Sequence, residues 1–546
     1  MSSIDWIILI TTLCGIIIYG IYKSRATKNL DGYFLSNRAM PWYMVLLSIM
    51  GTQASAITFL SAPGQAYTDG MRFVQYYFGL PIAMVVICIF FVPVFSRLKV
   101  YTAYEFLENR FDVKTRSLTS ALFLISRGLS TGISIYAPSI ILSSLLNWNI
   151  YYTNLVMGGL LIIYTMTGGA RAVAYTQQLQ LIIIIAGMFL AGYMVVTLLP
   201  EGMGFASAIK IAGNHGKMNI ITTGAENGSF DWKDKYNIWS GVIGGFFLAL
   251  SYFGADQSQV GRYLTAKTEK ESRIGLLANG LIKVPMQLLI LLVGILVFSF
   301  YQYHKAPVYF DQAKVVIAKK TVYKDSLVAL EEKYSKALAA NEQAQTASLR
   351  AQYKTVLKKA VPGDDANDTN FIFLRFVIDN LPKGLVGLLI AVIFLAAWGS
   401  IAAALNSLAS CTVVDFHKKF INKNCSEAED YSISRWYTFG WGVFSIVIAM
   451  FAHNIGNSLI EAVNILGSLF YGVILGIFLV AFWIKHVKAN AVFTAAVISE
   501  LLVIVIYKMD IISFLWLNVI GALFVIILSL VLQLFLSGNK MRGEKI

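Results

Sequence analysis

Charge is the first scarcity in this chain. Asp, Glu, Lys and Arg together make up 14% of its 546 residues, against about 25% in an ordinary soluble domain. Cysteine is scarce too. Cys14, Cys88, Cys411 and Cys425 are scattered, three of them in apolar runs, so neither a disulfide framework nor a thiolate metal site is implied. Zinc-ligand spacing is absent, and so is the GxSxG turn that carries a hydrolase nucleophile. Without the phosphate loop GxxxxGK[ST], ATP-driven work by this chain alone is disfavoured. The formal charge of +14 has no basic stretch interleaved with aromatic residues, which argues against nucleic acid as a partner. An enzyme working in water is not what this composition describes.

Apolar residues are what the chain has, at 57%. A membrane-crossing helix needs about 20 mostly apolar residues, and thirteen runs qualify, near 5–23, 42–66, 72–97, 117–146, 149–168, 176–199, 237–259, 274–302, 384–415, 433–452, 457–485, 490–508 and 512–536. Residues 5–22 hold Asp5 before the apolar stretch and a basic cluster after it, which reads as a retained helix and not a signal peptide. Lys and Arg mark the cytoplasmic ends of spans. With the N-terminus outside, the joints Lys23-Arg25-Lys28, Arg97-Lys99, Lys114-Arg116, Arg262-Lys267-Lys270-Arg273 and Lys418-Lys419 fall inside, as does the tail Lys540-Arg542-Lys545. The expectation is a multi-pass protein of the cell membrane, with the lipid bilayer as partner and its C-terminus cytoplasmic.

Two spans are interrupted by small and polar residues, at Met50–Thr58 (MGTQASAIT) and Leu250–Gln259 (LSYFGADQSQ). They open two five-span blocks, 42–199 and 237–485. Five is odd, so the second block is inverted relative to the first. Paired interruptions at matching places point to an inverted-repeat transporter with its site at the midplane, since broken backbone at that depth is tolerated only in a cavity wall or buried in protein. Close helix packing is the other use of small residues. Residues 1–41 then form an extra helix and joint, 200–236 an outer loop with a short helix near Gly204–Ala212, and 486–546 two further helices and a basic tail. Within the second block, 303–371 is a hydrophilic outer insertion. In Lys324–Lys359, Leu327, Leu330, Tyr334, Leu338, Leu349, Tyr353 and Val356 fall at helical spacing, predicting a helical hairpin that turns near Asn341. A solvated cap is expected there.

Arg127 and Lys283 lie deep within spans, where an ionisable group costs about 2.5–3.5 kcal/mol and is paired or functional. Two buried cations suit an anionic solute. The alternative is structural pairing with acids such as Asp256 or Glu461. Tyr76, Tyr77, Phe78, Tyr252 and Phe253 flank the proposed midplane cavity, as walls of a small-molecule site or as ordinary packing.

The stretches DGYFLSNRAMPW, SAPGQAYTDGMRF, YTAYEFLENRF, GISIYAPSIIL, YTMTGGARAV, QVGRYLTAKTEKES and ALNSLASCTVVDF, in this order between residues 31 and 416, resemble the motifs of sodium/solute symporters. The resemblance is closest to the branch of iodide, multivitamin and monocarboxylate symporters, from which the 303–371 insertion departs. It implies an all-α membrane protein of about thirteen spans around a LeuT-type five-plus-five inverted repeat. It implies a sodium ion held by the carbonyl oxygens of Gly51, Ala54 and Ala396 and the hydroxyl of Ser400. Where the family has two adjacent hydroxyls, this chain has Gly399-Ser400, and Ser55, Gln53 or water could fill the gap. Members with a second sodium site use hydroxyls one turn on and an Asp; Ala402, Ala403 and Gln177 stand there, which predicts a single ion. Lys283 matches a substrate-contacting lysine of the family's sugar transporters, but Thr58, Tyr77 and Ala249 replace the polar side chains those transporters use. With Tyr76, Arg127 and Phe253 these form the expected substrate site. The expectation is sodium-coupled import of a small organic anion such as a carboxylate. The alternatives are a neutral solute or inorganic anion, a non-transporting sensor, and a passive channel.

Overall fold

The computed structural model describes all residues except 25–29, 147, 227, 341, 363–365, 424–425, 453–457 and 544–546. Arg25, Lys28, Cys425, Lys545 and the turn expected at Asn341 lie outside the described residues. Helix dominates throughout, and a two-residue β pairing, Ala225–Glu226 with Ser229–Phe230, is the sole strand pair among the described residues. Every expected span coincides with helix. Nine helical stretches among the described residues are long and apolar enough to cross a membrane, and Ile150–Met166 and Ser240–Gly254 are shorter apolar helices.

Residues Ile150–Thr197 are helical along their whole length. Yet the hydroxyls of Tyr164 and Thr176 lie 2.6 Å apart, where twelve residues of straight helix would separate them by about 18 Å. The chain therefore folds back between them into two limbs, matching the two spans expected at 149–168 and 176–199. At the centre stands Leu385–Cys411, buried at every position from Leu389 to Cys411. An apolar surface all round has this one stable location. It packs against Ser3–Ser24, Val113–Leu146 and Ile150–Thr197. Ile7, Ile163, Ile182 and Leu281 remain exposed on the outside of the assembly, where hydrocarbon is their natural solvent.

Both expected interruptions are real breaks. Trp42–Gln53 stops, Ala54 (ψ 71°) and Ser55 (ψ 167°) leave helical geometry, and Ala56–Asp69 resumes. Ser240–Gly254 ends at Ala255, Asp256 is extended (ψ 118°), and Gln257–Tyr263 follows. The second broken helix packs closely on the span after the first: a Cβ at Gly79, just before Leu80–Val86, would lie 2.1 Å from the backbone nitrogen of Phe246. On the far side, Arg116 bonds Asp415 (2.6 Å) and Glu108 (2.5 Å), and Thr102 and Ser120 complete the bonds to Asp415. This buried cluster fixes Val113–Leu146 to the end of the central helix.

The insertion forms two packed helices, Lys324–Ala339 and Gln343–Ala360. Leu327, Tyr334, Leu349 and Tyr353 are buried in a separate small core, and Leu330, Leu338 and Val356 pack on it. The helical spacing read from the sequence is the spacing observed.

Candidate functional site

The two breaks flank a cavity of about 140 Å³. Thr58, Tyr76, Tyr77, Arg127, Ala249, Phe253, Lys283 and Ser400 all line it. The residues expected from sequence to contact a solute are thus brought together, from five separate helical segments. Gly51, Ala54 and Ala396 are not in its wall; they sit behind it, at the first break and on the central helix.

Among the described residues, the first break leaves two carbonyls without a hydrogen-bond partner. In a continuous helix the N–H of Ser55 would bond the carbonyl of Gly51, and that of Thr58 the carbonyl of Ala54. Here Ser55 N–H donates to Gln53 O (2.9 Å) and Thr58 N–H to Ser55 O (3.0 Å). The Gly51 and Ala54 oxygens are released by those substitutions. Across from them, Ser400 Oγ donates to the carbonyls of Ala396 (2.9 Å) and Ala397 (3.1 Å). Its lone pairs are left for a cation. Carbonyl and hydroxyl oxygens on unwound backbone are the donor set that a hard monovalent cation takes.

Gln177 joins these two elements. Its amide nitrogen donates to Thr52 Oγ1 (3.2 Å) and to the Gly399 carbonyl (3.0 Å), and its oxygen accepts from Ser48 (2.9 Å). A neutral amide thereby bonds the oxygens that face this position. Ala402 and Ala403, both fully buried, add no donor.

Arg127 is not a free cation. It forms an ion pair with Asp256, and Tyr471 bonds both, donating to Asp256 (2.7 Å) and accepting from Arg127 (2.9 Å). Asp256 also caps the resumed helix, its other oxygen accepting from Ser258 N–H (2.7 Å) and Ser258 Oγ (2.6 Å). One carboxylate thus ends the second break and neutralises the arginine. The structural pairing weighed for Arg127 is the one observed.

Lys283 differs. It is 1% exposed, its ammonium lies 5.4 Å from the centre of the Tyr77 ring, and among the described residues no carboxylate is in ion-pair contact with it. Glu461, the other acid considered for it, pairs with Lys235 of the 200–236 loop. Cavity residues missed in the sequence include Asn464, which accepts from Tyr76 Oη (3.1 Å), Tyr471 and Thr131. A lone Asn in an apolar run was the available signal for the first. Tyr471 and Thr131 give none, being unremarkable on a membrane helix.

A model of the sodium:solute symporter family matches residues 33–339 and 347–499. The sodium/sialic acid symporter NanT of Aliivibrio fischeri is 26% identical over 530 residues, 97% of this chain and 92% of that one. The sodium-dependent multivitamin transporter of Oryctolagus cuniculus is 27% identical over 490 residues, 87% of this chain and 66% of that protein. A solved structure of a Na+-coupled sialic acid symporter, substrate-bound and outward-open, superposes with a TM-score of 0.78 at 23% identity, covering 98% of both chains. That likeness is one of fold: a LeuT-type transporter core.

Proposed function

We propose that this chain, which belongs to the sodium:solute symporter family and so couples solute movement to sodium across a membrane, carries a small organic anion. The observation behind this is Lys283. The Arg127–Asp256 pair cancels, so Lys283 gives the cavity its net positive charge. An ammonium held in an aromatic wall without a counter-ion is stabilised by an incoming carboxylate, and a charge-assisted bond there is about twice as strong as a neutral one. The cavity's modest size suits a small acid.

Sodium is assigned to the Gly51, Ala54 and Ala396 carbonyls with Ser400 Oγ. Binding there joins the first broken helix to the central helix and favours the arrangement in which Thr58 and Tyr77 face the solute. The bonds of Gln177 support one ion per cycle. The basic joints favour an N-terminus outside and a C-terminus in the cytoplasm, and an inward sodium gradient would drive import. The membrane potential supplies about 2.3 kcal/mol per charge per 100 mV.

Uptake of a panel of carboxylates, sugars and inorganic anions, with sodium and with choline in its place, tests the reading. Sodium-dependent uptake confined to carboxylates is the expected result. Uptake of a sugar, unaffected by competing carboxylates, rejects the anion.

A further inference from the structure

A second polar cavity, of about 350 Å³, lies between the outer cap and the membrane body. Its wall is built from both. The cap contributes Lys305, Lys319, Glu331, Tyr334 and Tyr353, and Arg375 comes from the short helix Ile372–Asn380 that follows it. Cavities between structural units are the usual place for small ligands, and this volume is of ligand size.

The charges in it do not balance. Glu331 is already engaged on both oxygens, by Lys319 (2.7 Å) and by the Tyr353 hydroxyl (2.8 Å). Arg375 bonds Asp379 through Nη2 (2.6 Å), while its buried Nε has no partner among the described residues. Lys305 is exposed at the rim. Lys319 and Arg375 are thus each matched by a carboxylate, which leaves Lys305 and the Arg375 Nε–H as the groups open to an anion. The Tyr334 and Tyr353 rings, both buried, make the cap side of the wall aromatic. Guanidinium and ammonium groups recognise carboxylates, and tyrosine faces accept a flat ring.

We propose that this cavity is a second ligand site, taking a small ring-bearing carboxylate and bridging the cap to the body. Its charge owes nothing to Lys283 or to the sodium ligands, so it stands apart from the transport cavity. An occupant there sits within one helix of the contact between cap and broken helix. Arg350, on the same helix as Tyr353, lies over the Phe310 ring at 5.2 Å, and Phe310 packs edge-on against Tyr67 of Ala56–Asp69.

The test is calorimetric titration of the full-length protein in detergent, sodium-free and at low ionic strength, with benzoate as probe and benzamide as its uncharged counterpart. Wild type should bind benzoate, and benzamide at least about tenfold more weakly. Lys305→Glu and Arg375→Gln should each weaken benzoate by about tenfold or more. Lys305 is exposed, so its variant keeps the fold even if Arg375→Gln does not. Lys283→Gln, in the transport cavity, should leave this binding unchanged. Benzoate binding that is lost in Lys283→Gln and kept in Lys305→Glu overturns the proposal, as does equal binding of benzamide or none by wild type. Failure of the anion-transport reading would instead show as carboxylate-insensitive uptake with the benzoate isotherm intact.

Discussion

At the residue scale, two cations of similar depth have different surroundings, and this separates their expected phenotypes. Arg127 is held by Asp256 and Tyr471. Arg127→Gln leaves Asp256, fully buried, without its counter-ion, a loss of about 3–5 kcal/mol for a buried pair. The variant should melt well below wild type, and Arg127→Gln with Asp256→Asn should recover most of the difference. Lys283 has no such partner, so Lys283→Gln should melt like wild type. It should raise the half-saturation for solute about tenfold to a hundredfold, from a lost charge-assisted bond of roughly 1.5–3 kcal/mol. A normal solute affinity in folded Lys283→Gln returns the reading to a neutral solute. Ser400→Ala removes the hydroxyl opposite the freed carbonyls. Transport measured at varied sodium should then show a raised half-saturation for sodium with little change in melting temperature; an unchanged sodium curve dismisses Ser400 as a ligand.

At the scale of elements, the breaks were legible because MGTQASAIT and LSYFGADQSQ interrupt otherwise apolar runs, and polar backbone needs a reason at that depth. Which carbonyls the first break frees was not legible from spacing, since it depends on Ser55 and Thr58 choosing nearer acceptors. The Arg127–Asp256 pair was open in the sequence for a similar reason: 129 residues separate its members. The cap repeats the pattern. Its helices follow from periodicity, but its tie to the body does not. Asp368, fully buried, takes Arg350 (2.9 Å), Lys354 (2.8 Å) and the Phe310 N–H (2.9 Å). Both cations belong to the second cap helix, Gln343–Ala360. Replacing Lys324–Lys359 by a Gly/Ser linker should therefore impair folding through an unpaired Asp368, and adding Asp368→Asn should restore it. Equal yields of the two shortened proteins would show the tie to be dispensable. Burial raises the Asp368 carboxyl, but Arg350 and Lys354 outweigh it and hold it below the usual range. A depressed carboxylate stabilises above its unfolded value of about 3.9 and loses that as pH falls through the folded one. Amide protection in the cap helices should accordingly hold at neutral pH and fall selectively below about pH 4; a loss that begins near pH 6 would implicate other groups.

For the whole molecule, two broken helices flank a cavity beside the central helix, and Ala56–Asp69, the second half of the first, is bonded to the start of Leu459–Trp483. Ser61 Oγ accepts from Ile460 N–H (3.4 Å), Ser458 Oγ donates to Gln65 (3.2 Å), and Tyr76 bonds Asn464. Opening the cavity on this side requires these bonds to part. Sodium at the first break biases that equilibrium only through its different affinity for the two states. Sodium-driven accumulation of a small carboxylate is tested most directly by uptake of labelled carboxylate into sealed proteoliposomes. With an inward sodium gradient the solute should accumulate above its outside concentration, then fall back when the gradient is collapsed, and Ser400→Ala should need more sodium for the same rate. Uptake that merely equilibrates, at the same rate in sodium and in choline, would contradict it.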